Sequence, residues 1–414
     1  MKKRIALLLC VCLASALILG ACANAQAQGL DVVYAGGLEG GTSAAPVKGF
    51  TRGVTGFSLE LFKKAAQGET KNVFLSPASV ALALGMTQDG ARGDTAEEMR
   101  SALGLSGLSS QDVNEGFRAM AQALERKDEK TEVRLSNALW ANKDVKIGDG
   151  FVADNKKYYG AALANLDFSS PDAGSIINDW VKEKTDGKID DIVDQIDRDT
   201  ILFIMNAIWF EGSWSRQFDP DDTSEAPFYG MDGQTRVQMM AQEYAFQYAD
   251  VDGGQFISLP YGDGSLAMYV FLPDKESTLD AAVSALDESV WSGWMDSLAQ
   301  KQGTVALPRF KLEYETYLKE TLAALGMANA FDPDKADFSG IAQAAYIHDV
   351  RHKTFIDVDE KGPRAAAVTS VEMRVTSAAP TEDTFTMTVD RPFLFAIAEQ
   401  ETGAILFMGA VKNL

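Results

Sequence analysis

Apolar and polar positions change period several times along this chain. "VTGFSLELFKKAAQ" (54–67) sets Phe57, Leu59, Leu61 and Phe62 at mostly helical spacing and predicts a helix. "NVFLSPASVALALGMTQ" opens as a strand, is punctuated at Ser76-Pro77, and continues as a helix with Val80, Leu82 and Leu84 buried. In "TAEEMRSAL", Thr95 followed three residues later by Glu98 predicts a capping box, and "SSQDVNEGFRAMAQAL" is again helical. Strands then dominate. Residues 131–143 read as one, 175–193 as a helix stopped at Gly187, and 200–214 ("TILFIMNAIWFEGSW") as a nearly continuous apolar strand of a sheet centre. Further strands follow in "QFISLPY", "LAMYVFLPD" and "GTVALPRFKLEYE", helices in "TLDAAVSAL" and "TYLKETLAALGM", and strands in "AYIHDVRHKTFIDVDE", "TFTMTVDRPFLFAIAEQ" and "GAILFMGAVKN". Helices come early and mixed sheets later, with no βαβα alternation, so the fold class is α+β. One stretch fits neither period. "IDVDEKGPRAAAVTSVEM" (356–373) leaves a strand and runs through small residues with almost no bulky apolar side chain.

With 414 residues, 46% of them apolar, the chain affords one large domain or two ordinary ones. Its first 29 residues join a basic start to an apolar run of signal-peptide type. "LGAC", ending at Cys22, resembles a bacterial lipobox, which implies a signal peptide over 1–21 and lipidation of Cys22. Cleavage of a plain secretory signal near "ANAQA" is the other reading. The small, Gly-rich residues 22–50 are expected to be a flexible tether, and 51–414 the folded domain. No other apolar run reaches 18 residues, so the expected product is an exported, membrane-anchored protein facing the extracellular or periplasmic side.

Formal net charge is −21, and −24 once Lys2, Lys3 and Arg4 leave with the signal. That field disfavours nucleic acid and anionic membrane surfaces as partners. Cys10 and Cys12 lie in the signal and Cys22 in the lipobox, so the domain has no thiol nucleophile and no disulfide. Two histidines, His348 and His352, are too few for a histidine-rich metal site, and they read as sheet residues on one strand face. With no G-x-S-x-G elbow and no HExxH helix, nothing points to an enzyme, a metal or a cofactor.

Ordered landmarks give the chain a family resemblance. "NVFLSPASV", "MTQDGARGDTAEEM", "LSNALW", "INDWVKEKTDGKIDDIV", "ILFIMNAIWFEGSW", "LPRFKLEY", "LKETLAALGM", "ADFSG", "FIDVDEKG", "RPFLFAI" and "ILFMGAV" together resemble a serpin over about residues 51–414. The resemblance implies a main five-stranded sheet, two further sheets, eight or nine helices, and an exposed reactive-centre loop over about 360–384. In that family a protease cuts the loop. The loop's N-terminal part then enters the main sheet as a new strand and carries the acylated protease with it, so hydrolysis stalls. Small residues suit a segment that must be solvated before cleavage and packed afterwards; each apolar side chain it buries contributes on the order of 1–3 kcal/mol.

Carried over residue by residue, Glu360, Lys361 and Gly362 resemble the hinge, and Ala365, Ala366, Ala367 and Val368 the small-residue tract. Pro363 departs from the pattern, where Thr or Ser is usual. It is the first side chain expected to enter the sheet, and it lacks the N–H a central strand uses. Arg364 follows on the opposite, solvated face. The family spacing places the scissile bond sixteen residues after Glu360, between Thr376 and Ser377, with Arg374 and Met373 as alternatives. Thr376 suits an elastase-like or subtilisin-like serine protease; papain-like cysteine proteases are a further class of partner. Ser76, Ser79, Asn206 and His352 align with a sheet-opening cluster in which histidine and asparagine hold two strands and exchange partners. Trp214 aligns with an aromatic where insertion begins. The leading expectation is a monomeric suicide-substrate inhibitor; the alternative is a non-inhibitory serpin, motivated by Pro363.

Overall fold

The computed structural model describes residues 31–34, 37–38, 49–127, 130–190, 192–193, 196, 200–362 and 384–414. Among them are nine α-helices and three sheets of nine, five and two strands. Cys22, Pro363, Ala365, Ala366, Ala367, Val368, Met373, Arg374, Thr376 and Ser377 lie outside the described residues.

Helices α1 (Phe50–Ala66), α2 (Pro77–Asp89), α3 (Gly93–Ala102) and α4 (Ser110–Leu124) come first. α2 starts where Ser76 and Pro77 dictate: the Ser76 side chain accepts from the Ser79 N–H, and Pro77 at the first turn gives up no bond a helix needs. Nearly all of α2 is buried, because it runs through the molecule beneath a sheet. α3 departs from the expected capping box. It begins at Gly93, and Thr95 sits buried within it. Thr95 Oγ1 accepts instead from the Asp337 N–H at 3.0 Å, and Glu98 Oε2 from the Asn329 N–H at 2.9 Å. Both oxygens dock the distant segment 329–337 rather than cap their own helix.

The five-stranded sheet contains β4 (Thr131–Asn142) and β6 (Leu202–Gly212), paired antiparallel in the register Asn137–Asn206. β5 (Ala162–Leu166) runs parallel to β4, and β3 (Arg126–Lys127) pairs at its start. Helix α5 (Asp149–Tyr159) links β4 to β5, and α6 (Ala173–Lys184) leads on toward β6. The edge strand is unexpected: β1 (Asp31–Tyr34), from the stretch read as a tether, pairs antiparallel with β5, and the Gly37 N–H donates to Gly160 O at 2.7 Å. Gly-rich composition concealed a short β-forming run that satisfies an open sheet edge.

The nine-stranded sheet is built mainly from β8 (Gly233–Val251), β9 (Gly254–Tyr261), β10 (Leu266–Pro273), β11 (Ala299–Pro308), β15 (Phe393–Glu399) and β16 (Ile405–Val411). β10, β15 and β16 are buried at every position, which is why they read as unbroken apolar runs. β2 (Val73–Leu75), β7 (Ser224–Gly230) and β14 (Phe385–Thr388) complete it. Helices α7 (Leu279–Ala285) and α8 (Glu288–Ser297) sit between β10 and β11 in the chain, and Trp294 of α8 stacks on Phe271 at 4.3 Å.

The third sheet is the antiparallel pair β12 (Phe310–Tyr317) and β13 (Arg351–Val358), joined through α9 (Lys319–Leu322) and an irregular segment. His348 is not on a strand. It lies exposed before β13 begins, whereas His352 is buried on it.

A strand-wide cleft and its hinge

Among the described residues, β6 pairs only with β4, and β13 only with β12. The facing edges of β6 and β13 bound a cleft of about 1440 Å³. Its floor includes Ser76, Ser79, Val80 and Leu84 of the α2 region together with Phe407 of β16, and Ile189, Ile192, Val193 and Ile196 cover it from the far side. Asn178 of α6 holds that cover, its Oδ1 accepting from the N–H groups of Ile192 and Val193. Two strand edges that face each other without a strand between them among the described residues present the condition under which another strand is added.

The direction such a strand would take follows from the ends of the cleft. Beyond β13, the Trp214 N–H donates to Lys361 O at 3.0 Å and the Phe218 N–H to Glu360 O at 3.0 Å. The C-terminal ends of β6 and β13 therefore meet, and the two strands run parallel. A chain leaving β13 and turning back into the cleft would lie antiparallel to both. Gly362 stands at that turn with φ +88°, and a Cβ there would come 2.2 Å from Gly212 O, so the position requires glycine.

The segment that the sequence marks as a hinge is clasped. Glu360 is buried, and its Oε1 accepts from Arg309 Nε at 2.7 Å and from Thr223 Oγ1 at 2.5 Å. Burial pushes the Glu360 carboxyl up, but the Arg309 and Thr223 bonds outweigh it and hold the group below the ordinary glutamate value. Burial raises the neighbouring Asp359 carboxyl, with the Glu360 and Asp357 charges adding to the rise. Trp214 closes the end of the cleft. Its Nε1–H donates to Asp359 O at 2.8 Å, and its ring stacks on Tyr261 at 4.4 Å with Phe218 edge-on at 5.9 Å.

The predicted cluster Ser76, Ser79, Asn206 and His352 comes together along the cleft. His352 Nε2 accepts from the Ser76 N–H at 3.0 Å, so the ring is neutral with its proton on Nδ1. Burial pulls the His352 pKa down from 6.5 to about 4. Ser76 Oγ donates to Leu406 O, and Ser79 Oγ to Asn206 O. The expected histidine–asparagine pair is not formed in this state. Asn206 Nδ2 donates to Asn137 Oδ1 at 2.7 Å, and Asn206 Oδ1 is buried with no donor among the described residues. A buried amide oxygen without a donor costs roughly 1–3 kcal/mol.

Several members of this arrangement were not predicted. Arg309 and Thr223 clasp Glu360 across 51 and 137 residues of chain, and no local spacing marks them. Glu211 lies directly opposite Glu132 in the β4–β6 register, and the Arg134 guanidinium, bonded to Glu132 at 2.7 Å, offsets two like charges.

A family model described as Serpin (serine protease inhibitor) matches residues 52–414. Human serpin B8 is 37% identical over 368 residues, covering 86% of this chain and 97% of its own. The crystal structure of tengpin, a thermophilic serpin, in the native state superposes with a TM-score of 0.83 at 32% identity, covering 91% of this chain and 97% of its own. Human thyroxine-binding globulin complexed with thyroxine gives a TM-score of 0.80 at 27% identity, covering 89% and 99%.

Proposed function

This chain belongs to the serpin family, and from that premise we propose that it is a suicide-substrate inhibitor of extracellular serine proteases of elastase-like or subtilisin-like specificity. It is not an enzyme; the reacting nucleophile is the protease's. The protease serine Oγ attacks the Thr376 carbonyl carbon. The bond to the Ser377 nitrogen breaks, the new amine takes the proton, and Thr376 is left as an ester on the enzyme. The chain from Gly362 onward then turns into the cleft between β6 and β13.

The observation that carries this reading is the cleft itself. Among the described residues it has two strand edges that pair with no strand across the cleft, a glycine turn at its mouth, and a buried Asn206 amide oxygen with no bonded donor. The basic start and the "LGAC" motif support export and anchoring through Cys22, which would place the inhibitor where secreted proteases act.

Pro363 favours a second reading, a non-inhibitory member that is cut without trapping its protease. A proline there slows the first step of insertion and gives the acyl-enzyme time to hydrolyse. Mixing the protein with subtilisin or pancreatic elastase separates the two. Inhibition predicts a 1:1 adduct that survives SDS, with the new terminus after Thr376. Complete nicking with no adduct at any ratio supports the second reading.

A further inference from the structure

We propose that the exposed pair Arg216 and Tyr244 is a docking surface for the body of the protease that cuts the loop, an inference that rests on the function above only in requiring a protease to engage that loop. The described chain ends at Gly362 and resumes at Thr384. Arg216 belongs to the first of these points: it lies midway between Trp214 and Phe218, whose N–H groups bond Lys361 and Glu360. Tyr244 belongs to the second. In one row across the nine-stranded sheet, Phe385 of β14 faces Gly303 of β11, which faces Tyr244 of β8.

That row is fixed by packing. A Cβ on residue 303 would come 2.2 Å from the Phe385 ring, so the glycine makes room for the ring. Phe385 stacks on Tyr248 at 3.8 Å and meets Phe246 at 5.9 Å. Phe246 in turn meets Tyr244 edge-on at 6.1 Å. Tyr244 is the open end of this aromatic series and is 48% exposed. The Arg216 guanidinium lies 4.3 Å from the centre of its ring. A single cation–π contact thus joins the neighbourhoods of Gly362 and Thr384.

An enzyme that grips a peptide held at both ends covers the surface between those ends. Here that surface offers a ring that meets Phe246 edge-on and a guanidinium lying over the ring. Both groups lose little freedom on binding, and aromatic and arginine side chains dominate interface energetics. The guanidinium offers its N–H groups to carbonyl or carboxylate oxygens of the partner. The occupant is therefore a globular protease presenting an apolar side chain beside an oxygen acceptor next to its active-site cleft.

The test uses the full chain and reads the second-order rate of loop nicking by subtilisin and by pancreatic elastase. The double variant Arg216→Ala/Tyr244→Ala should be nicked about tenfold more slowly by at least one of them, the equivalent of about 1.4 kcal/mol. Arg216→Glu, which leaves the aromatic row intact, should slow the same reaction, so a folding defect from losing Tyr244 cannot imitate the result. Equal rates for wild type and both variants with both enzymes overturn the proposal. Nicking is read whether or not an adduct survives: slower nicking with no adduct in any protein keeps the docking surface and removes inhibition, and equal nicking with adducts throughout does the reverse.

Discussion

Ala367→Arg is expected to turn the inhibitor into a substrate: the loop is still cut, and the SDS-stable adduct disappears. Side chains of a strand alternate between faces, so Pro363, Ala365 and Ala367 share one face and Arg364 and Ala366 the other. If Pro363 enters facing the floor, position 367 comes to lie over a surface that includes Val80, Leu84 and Phe407. A guanidinium buried there without a partner costs several kcal/mol, where alanine costs almost nothing. A penalty of about 3 kcal/mol in the barrier slows insertion by roughly a hundredfold, enough for the acyl-enzyme to hydrolyse first. Ala366→Arg, pointing to the solvated face beside Arg364, should keep the adduct. The check is the molar ratio of protein needed to silence one protease: at least about tenfold higher for Ala367→Arg, near wild type for Ala366→Arg. Equal behaviour of the two variants contradicts the alternation, and with it the entry of this segment as a strand.

Acid should loosen the same cleft through His352. Above pH 6.5 the imidazole is neutral in both folded and unfolded chains and adds no pH dependence. As the pH falls below 6.5, the unfolded chain takes up a proton that the folded chain refuses until about pH 4. Stability is therefore lost across that window and levels off beneath it, by about 3 kcal/mol in total. The cause is structural: Nε2 is buried and already accepts from the Ser76 N–H, so protonating it would set two donors against each other. His352→Gln keeps a side chain that can accept from Ser76 but cannot titrate. Urea unfolding at pH 7, 6, 5 and 4.5 should show wild type losing stability steadily and the variant losing markedly less. Identical slopes would mean that His352 does not control the acid response. Glu360 adds a separate acid loss: its carboxyl is held below the ordinary value, so its contribution persists above pH 4.5 and goes as the pH falls through its lowered folded pKa.

Elements with a strong period were legible in the sequence because the same burial that creates the period also fixes the element. β6, β10, β15 and β16 are examples, as is the start of α2 at Ser76-Pro77. Sequence reading failed where a local signal was outbid by a distant partner. Thr95 and Glu98 have the spacing of a cap, yet their oxygens are spent on Asp337 and Asn329. His348 and His352 have the spacing of one strand face, but the strand starts only at Arg351. Asp31–Tyr34 sits in a stretch with the composition of a linker, yet its backbone finds the open edge of β5. At the candidate site, Gly362 and Glu360 could be marked from the sequence because their motif is contiguous. Arg309 and Thr223 could not, since only the fold brings them to the Glu360 carboxylate. The separation of His352 from Asn206 was equally hidden. Their types and positions are written in the chain, but whether they bond each other depends on how far β6 and β13 stand apart.

Amide hydrogen exchange on the protein before and after its loop is nicked goes most directly to the centre of this account. On nicking, peptides from 363 to about 370, together with the facing edges of β6 and β13, should gain protection comparable to that of β4, because each would acquire strand partners at once. If the nicked protein shows no gain in protection at these three segments, the cleft is not where the loop goes, and the inhibitory mechanism built on it is wrong.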